Sequence, residues 1–309
     1  MDLADRVLAG DQRAIARAIS LVENEPDAAA GLLRHMAGRI GHARVIGVTG
    51  APGVGKSTLV DGLAAEYRRM GRTVGILAID PTSPISGGAI LGDRVRMQRH
   101  VFDEGVYVRS MATHGRLGGL SHATSDAVLI LDAAGREVVL VETAGVGQAE
   151  VDIARTADAS IVVTIPDAGD GVQAMKAGIM EIGDVFVVNK LDRPGAERAA
   201  AEIEEMLSLR EYGEVAWRPP VLKTRAATGE GVAAVVEAVE RFTGQPADTR
   251  ERRRTRARTR LTDLLRQQFI ERLERREETR KLLDEAVERL AAGEIDPYAA
   301  AAEIMERTS

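Results

Sequence analysis

Gly50-Ala51-Pro52-Gly53-Val54-Gly55-Lys56-Ser57-Thr58 is the stretch on which the reading of this chain turns, a complete G-x-x-x-x-G-K-S phosphate loop. On its N-terminal side Arg44-Val45-Ile46-Gly47-Val48-Thr49 reads as a short buried strand. On its C-terminal side Thr58 through Arg69 places Leu59, Val60, Leu63, Ala64 and Tyr67 on one face at helical spacing. Strand, glycine-rich turn and helix are the context that such a loop requires, so the chain is expected to bind a nucleoside triphosphate. The glycines admit positive φ and close approach of the main chain, which lets successive N–H groups of Gly50, Ala51, Pro52's neighbours, Gly53, Val54 and Gly55 face an anion at a helix N-terminus. Lys56 is expected to reach the β- and γ-phosphates as a point charge, and Ser57 to offer its hydroxyl to Mg²⁺.

Further along, Asn189-Lys190-Leu191-Asp192 follows the apolar run Asp184-Val185-Phe186-Val187-Val188. This N-K-x-D pattern addresses the base. A carboxylate at Asp192 can accept from the N1 and N2 donors of guanine, whereas adenine lacks that donor pair and would leave the acceptor unpaired. Guanine is therefore favoured over adenine.

From about residue 44 to 244 apolar strands alternate with helical stretches: Arg44 to Thr49, Thr73 to Asp80, Val106 to Arg109, Glu137 to Glu142, Ala159 to Thr164, Val185 to Asn189 and Val221 to Thr224. Such alternation predicts an α/β fold with a mostly parallel sheet covered on both faces. Residues 1–43 read as two or three short helices, with apolar spacing in Val7, Leu8, Ile15, Ile19, Val22, Leu32, Leu33 and Met36. At Gly244-Gln245-Pro246 a linker opens a charged helical extension over 245–309, in which Leu261, Leu264, Leu265, Phe269, Leu273, Leu282, Leu283, Ala286, Val287 and Leu290 form an apolar stripe. That stripe packs either on its own domain or, as the length of the extension favours, against a second copy, giving a homodimer.

The chain has 309 residues, a formal net charge of −6, five His and no Cys. Disulfides, Cys-ligated zinc and a Cys nucleophile are thereby excluded. No apolar core of a signal peptide follows Met1 and no run is long enough to span a bilayer, so a soluble cytoplasmic protein without a membrane partner is expected. Mild acidity argues against a nucleic-acid partner. Arg250 to Arg260 is densely basic and could meet phosphates, but aromatics for base stacking are absent nearby and the solvated face of a helix accounts for it.

Three acids could complete a Mg²⁺-dependent triphosphatase. Asp80 ends a strand and opens Pro81-Thr82-Ser83-Pro84, at the sheet edge where α/β ligands bind. Glu142 ends another and begins Glu142-Thr143-Ala144-Gly145, a D-x-x-G element with Glu for Asp, in which Gly145 leaves an N–H to sense the γ-phosphate. Asp93 lies in the loop Gly88 to Arg94, whose composition suits a switch. Gln148 is a candidate to orient water, and Arg94, His114 and Arg116 are loop residues available to neutralise charge; with no evident arginine finger, slow intrinsic hydrolysis that a partner accelerates is expected.

Taken with these, Asp80-Pro81-Thr82-Ser83-Pro84, Gly92-Asp93-Arg94-Val95-Arg96-Met97, Arg109-Ser110-Met111-Ala112, Leu117-Gly118-Gly119-Leu120, Val141 to Gln148, Lys176 to Ile182 and Asn189-Lys190-Leu191-Asp192 closely resemble the MeaB/ArgK family of P-loop GTPases. The resemblance spans most of the chain. It implies a GTPase chaperone of an adenosylcobalamin-dependent acyl-CoA mutase, chiefly methylmalonyl-CoA mutase, that gates cofactor loading and protects the mutase, and a homodimer formed through the C-terminal extension. It also implies that Asp80, Asp93 and Glu142 are the Mg²⁺ and catalytic carboxylates, that Ile165 to Lys176 is a switch facing the mutase, and that Lys223-Thr224-Arg225-Ala226 is a second guanine-contacting loop. The chain departs from the family pattern at Arg225, where many members carry Ser, and at His114, where several carry Arg. A metal-insertion GTPase, a GTP-dependent regulatory binding module and a small-molecule kinase are the competing readings.

Overall fold

The computed structural model describes residues 2–80, 98–100, 102–112, 122–143, 145, 153, 156–166, 177–210, 217–275 and 277–308. Seven strands form one sheet: β1 (Arg44–Thr49), β2 (Val74–Asp80), β3 (Val106–Ala112), β4 (Val138–Glu142), β5 (Ala159–Thr164), β6 (Val185–Val188) and β7 (Val221–Lys223). Their spatial order is β3-β2-β4-β1-β5-β6-β7 and every pairing is parallel. The expected α/β fold with a parallel sheet is the one observed.

Parallel strands need crossovers, and these helices cover the faces. Along β1, Ile46 and Val48 enter a core with Leu59, Val60, Leu63 and Tyr67 of α4 (Lys56–Arg69) and with Val235, Val239 and Phe242 of α8 (Val232–Thr243). Val45 points to the opposite core, shared with Leu77, Val139 and Val141 of the sheet and with α1 (Leu3–Leu8), α2 (Gln12–Asn24), α3 (Pro26–Met36) and α5 (His122–Ala133). The N-terminal helices thus bury Val7, Ile15, Ile19 and Met36 on the same face that α5 covers. A short helix α6 (Ala177–Ile182) precedes β6, and α7 (Ala196–Ser208) packs Ala200, Ile203 and Leu207 against Phe186 and Val188. Gly47 allows the close packing at the sheet centre, because a Cβ there would lie 2.3 Å from Ile153 Cγ1.

Three buried aspartates stitch the N-terminal ends of this sheet. Asp132 accepts from the N–H groups of His42 and Ala43, Asp158 from Val45 N at 2.9 Å, and Asp184 from Ser160 N at 2.9 Å. Each satisfies backbone donors that burial would otherwise leave costly.

The long helix α9 (Pro246–Arg275) crosses the boundary between two compact units, residues 1–252 and 253–309. Its first turns belong to the first unit, where Arg252 pairs with Asp184 at 2.8 Å and lies over the Phe242 ring. Within the second unit α10 (Glu277–Ala291) and α11 (Pro297–Thr308) pack through Ala286 and Ala300, with Arg289 and Glu303 paired at 2.9 Å. Of the apolar stripe read from the sequence, Leu273 and Ala286 are buried, whereas Leu261, Leu265 and Val287 are more than half exposed. No described helix is long and apolar enough to cross a membrane.

Candidate active site

All seven strands run the same way, so their C-terminal ends share one edge of the sheet, and loops leaving that edge meet beside β1, where the strand order reverses. The phosphate loop leaves β1 there. Gly50, Gly53 and Gly55 hold φ of 141°, 79° and 95°, conformations that side chains rarely adopt. At Gly50 there is also no room: a Cβ would stand 2.1 Å from the Val163 carbonyl oxygen. Gly55 caps α4, whose first residue is Lys56, two positions before the sequence pattern placed the helix.

Lys56 and Ser57 are buried, at 6 % and 8 % exposure. The Lys56 ammonium donates to the carbonyls of Gly50 at 2.8 Å and Ala51 at 3.0 Å. The Ser57 hydroxyl donates to Glu142 Oε1 at 2.7 Å, which places the end of β4 directly against the start of α4. Gly145 closes the same corner with φ of 84°: a Cβ there would lie 2.4 Å from Gly50 O and 2.6 Å from Lys56 Nζ. Thr143 donates its backbone N–H to Val48 O and its hydroxyl to Thr49, so β4 and β1 remain tied past the last ladder bond. Gly50, Lys56, Ser57, Glu142 and Gly145 are thereby brought together. Hard oxygen donors packed beside a buried ammonium are chemistry suited to a divalent cation and a polyphosphate.

On the other side of the loop Asn189 acts as a clasp. Its Nδ2 donates to Val54 O at 2.9 Å, and its Oδ1 accepts from the Thr224 hydroxyl at 3.0 Å and the Ala226 N–H at 3.1 Å. Asn189 and Thr224 are 3 % and 0 % exposed. Lys190, the one non-glycine with positive φ among the described residues, reaches Gly53 O with its ammonium at 2.8 Å. Leu191 N–H donates to Thr224 O, so the segment after β6 and the segment after β7 form one platform. At its rim Arg225 Nε lies 3.5 Å from Asp192 Oδ1 and 3.7 Å from Glu230. The half-exposed Asp192 is thus placed with an arginine neighbour that the N-K-x-D pattern did not foretell.

Asp80 ends β2, and Ala78 two residues earlier pairs with Glu142 across the ladder, so the backbone of Asp80 belongs to the same edge. Asp93, Arg94, His114, Arg116 and Gln148 lie outside the described residues. The clasp role of Asn189 escaped sequence reasoning, which assigned it to the base alone.

A family model described as Methylmalonyl Co-A mutase-associated GTPase MeaB matches residues 15–280. The chain belongs to the MeaB family. It is a GTPase, and its nucleotide is GTP. A protein of Pyrococcus horikoshii named as a GTPase is 44 % identical over 311 residues, 99 % of this chain and 97 % of that one. The methylmalonic aciduria type A homolog of Mus musculus, a mitochondrial protein, is 31 % identical over 262 residues, 83 % of this chain and 63 % of that one. Among solved structures, one described as an LAO/AO transport system kinase shares the fold with a TM-score of 0.73 at 24 % identity, covering 99 % of this chain and 96 % of that one.

Proposed function

We propose that this GTPase is a Mg²⁺-dependent chaperone of an adenosylcobalamin-dependent acyl-CoA mutase, with methylmalonyl-CoA mutase as the first client to test, coupling GTP binding and hydrolysis to cofactor loading and protection. The mutase association named in the matching family model, over residues 15–280, carries this reading, and the mouse relative named for methylmalonic aciduria agrees with it.

In the proposed site Gly50 to Thr58 wraps the phosphates. Lys56 turns its ammonium from the Gly50 and Ala51 carbonyls toward the β- and γ-phosphate oxygens, and Gly145 presents its N–H to the γ-phosphate. Asp192 accepts from the guanine N1 and N2 donors. Asn189, Lys190, Thr224, Arg225 and Ala226 shape the base side, in keeping with the clasp that holds these loops to Val54 and Gly53. Ser57 and Glu142, 2.7 Å apart and both buried, fit Mg²⁺ as hard oxygen donors, and Asp80 and Asp93 complete the proposed set. The ion, when bound, neutralises charge developing on the phosphate oxygens. Placing these groups in advance, in a corner that Gly145 and Thr143 keep tight, is the contribution of the chain itself.

The exposed Leu261, Leu265 and Val287 of the C-terminal unit support a homodimer through this extension. Cytoplasmic placement is part of the same proposal. The test is the GTP hydrolysis rate with and without a purified adenosylcobalamin-dependent acyl-CoA mutase, with Lys56→Ala as control for contaminating activity. Stimulation that the substitution abolishes is expected; a rate unmoved by any such mutase refutes the chaperone reading.

A further inference from the structure

Asp61 lies on α4, one turn beyond the Ser57 that touches Glu142, and is 4 % exposed. A carboxylate is costly at such a depth unless it is paired. Its partners come from the short helical turn Gln98–His100, which directly follows residues 81–97 and so follows Asp93 in the chain. His100, itself 7 % exposed, places Nε2 3.2 Å from Asp61 Oδ1 and 3.3 Å from the Asp61 carbonyl oxygen. Arg99 Nε lies 3.3 Å from Asp61 Oδ2, but Arg99 is two-thirds exposed and its charge is screened by water. The buried imidazole is therefore the partner that matters most to the buried carboxylate.

We propose that His100 and Asp61 are a positioning pair for GTP hydrolysis, a charged staple fixing the phosphate-loop helix to the helical turn that follows Asp93 in the chain. The proposal rests on the reading of Asp93 as a site carboxylate. Neither residue touches nucleotide; both act through what they hold. The Nε2–H can donate in either charge state, so deprotonation leaves a hydrogen bond and removes the charge. The charged groups around His100 among the described residues are Asp61 and Arg68 from α4, Arg99 beside it, and Asp103 in the turn before β3. Arg68 is engaged with Asp103 at 2.8 Å. Donation from the imidazole to the Asp61 carboxylate raises the His100 pKa above its ordinary value, burial opposes this, and the Asp61 carbonyl and the charges of Asp61 and Asp103 add to the rise. A folded value above the unfolded one means that the staple is at full strength below about pH 6.5 and weakens as pH climbs through the raised value.

The test is the titration of the imidazole Cε1 proton by NMR in the full chain with GDP, together with the pH profile of kcat from about pH 5.5 to about 9. The wild-type imidazole is expected to titrate above about 6.5, and that of Asp61→Asn to fall back toward it. In wild type kcat should drop about threefold or more as pH rises through the His100 value, and His100→Gln, which keeps an N–H donor without the charge, should lack that limb while its GDP affinity is unchanged. A wild-type imidazole that titrates at or below the ordinary value overturns the proposal, and this measurement decides it even if the variants do not fold. So does an alkaline limb that persists in His100→Gln. Asp93→Asn separates the two readings. If it hydrolyses GTP at the wild-type rate, the role of Asp93 fails whatever His100 does; if it is inactive while the limb persists in His100→Gln, the pair fails and Asp93 stands.

Discussion

Replacing Asn189 with Ala should cost both stability and nucleotide affinity, by an amount that follows from its three hydrogen bonds. The substitution removes the donor to Val54 O and the acceptor shared by the Thr224 hydroxyl and the Ala226 N–H, all at a site only 3 % exposed. A net hydrogen bond is worth about 1 kcal/mol, and each buried group left unpaired about 1–3 kcal/mol, with some relief where water enters the space vacated. A total of about 2–4 kcal/mol follows. Thr224→Val, which deletes one hydroxyl at nearly constant volume, should cost about 1 kcal/mol. Because both variants remove the same Asn189–Thr224 bond, the double variant should fall short of the sum by about 1 kcal/mol. Urea unfolding followed by the fluorescence of Trp217 is suited to the measurement. This is the only Trp of the chain, its Nε1 donates to Asp184 O, and it packs 5.0 Å from Phe242, so it reports on the first compact unit. An unchanged m-value would license the comparison. In parallel, GDP affinity of Asn189→Ala should weaken tenfold or more, roughly, since the phosphate loop and the segment after β7 lose their common tie. A stability loss under about 1 kcal/mol together with unchanged GDP affinity would refute the clasp.

Gly145→Ala should abolish GTP hydrolysis and also lower thermal stability, because at a φ of 84° a methyl group there meets the Gly50 carbonyl oxygen and Lys56 Nζ in the proposed phosphate corner; steady-state phosphate release and the melting temperature read the two effects. Glu142→Gln keeps the shape beside Ser57 and removes the charge, so the Mg²⁺ concentration for half-maximal hydrolysis should rise about tenfold, measured by metal titration at saturating GTP. Arg252→Ala should destabilise the first unit by about 1–2 kcal/mol near neutral pH, the usual loss for a broken buried pair being discounted for the partial exposure of Arg252. Burial raises the Asp184 pKa and Arg252 pulls it back, so the charged carboxylate opposes folding increasingly as pH climbs from about 3.9 through its raised folded value; the effect of Arg252→Ala should fade as pH falls through that raised value and be gone by about pH 3.9, read by urea unfolding across pH.

The fold was legible because its central strands are buried on both faces. Val138 to Val141 and Ile161 to Val163 are buried without interruption, and such strands appear in a sequence as apolar runs that need no alternation to be recognised. Strand ends were harder, for reasons that lie in the fold. β3 continues to Ala112, three residues past the expected Arg109, because β2 offers a partner as far as Asp80. β6 stops at Val188, one residue before the expected Asn189, because Asn189 turns its side chain to the phosphate loop. The C-terminal stripe read as one face from its spacing, yet it divides between Leu273 and Ala286, which are covered, and Leu261 and Leu265, which are not. Helical periodicity finds an apolar face but not what covers it.

The candidate site divides along the same line between local and distant. A phosphate loop works through consecutive backbone groups and one glycine-permitted turn, so its signature is contiguous and the structure finds Gly50, Gly53 and Gly55 in the conformations that pattern demands. The clasp joins Asn189 to Val54 across 135 positions and to Ala226 across 37, and no local pattern encodes such a tie. A trace of it was nonetheless present. Asparagine directly after a fully buried strand must satisfy both ends of its amide where water is excluded, and the partners within reach are the loops that leave neighbouring strands. In the proposed site the N-K-x-D element carries two loads: Asp192, at the rim beside Arg225, is the residue proposed to read the base, whereas Asn189 beneath it holds the platform on which that reading would depend. Substituting Asp192 should then change which nucleotide binds with little loss of stability, and substituting Asn189 should weaken every nucleotide alike.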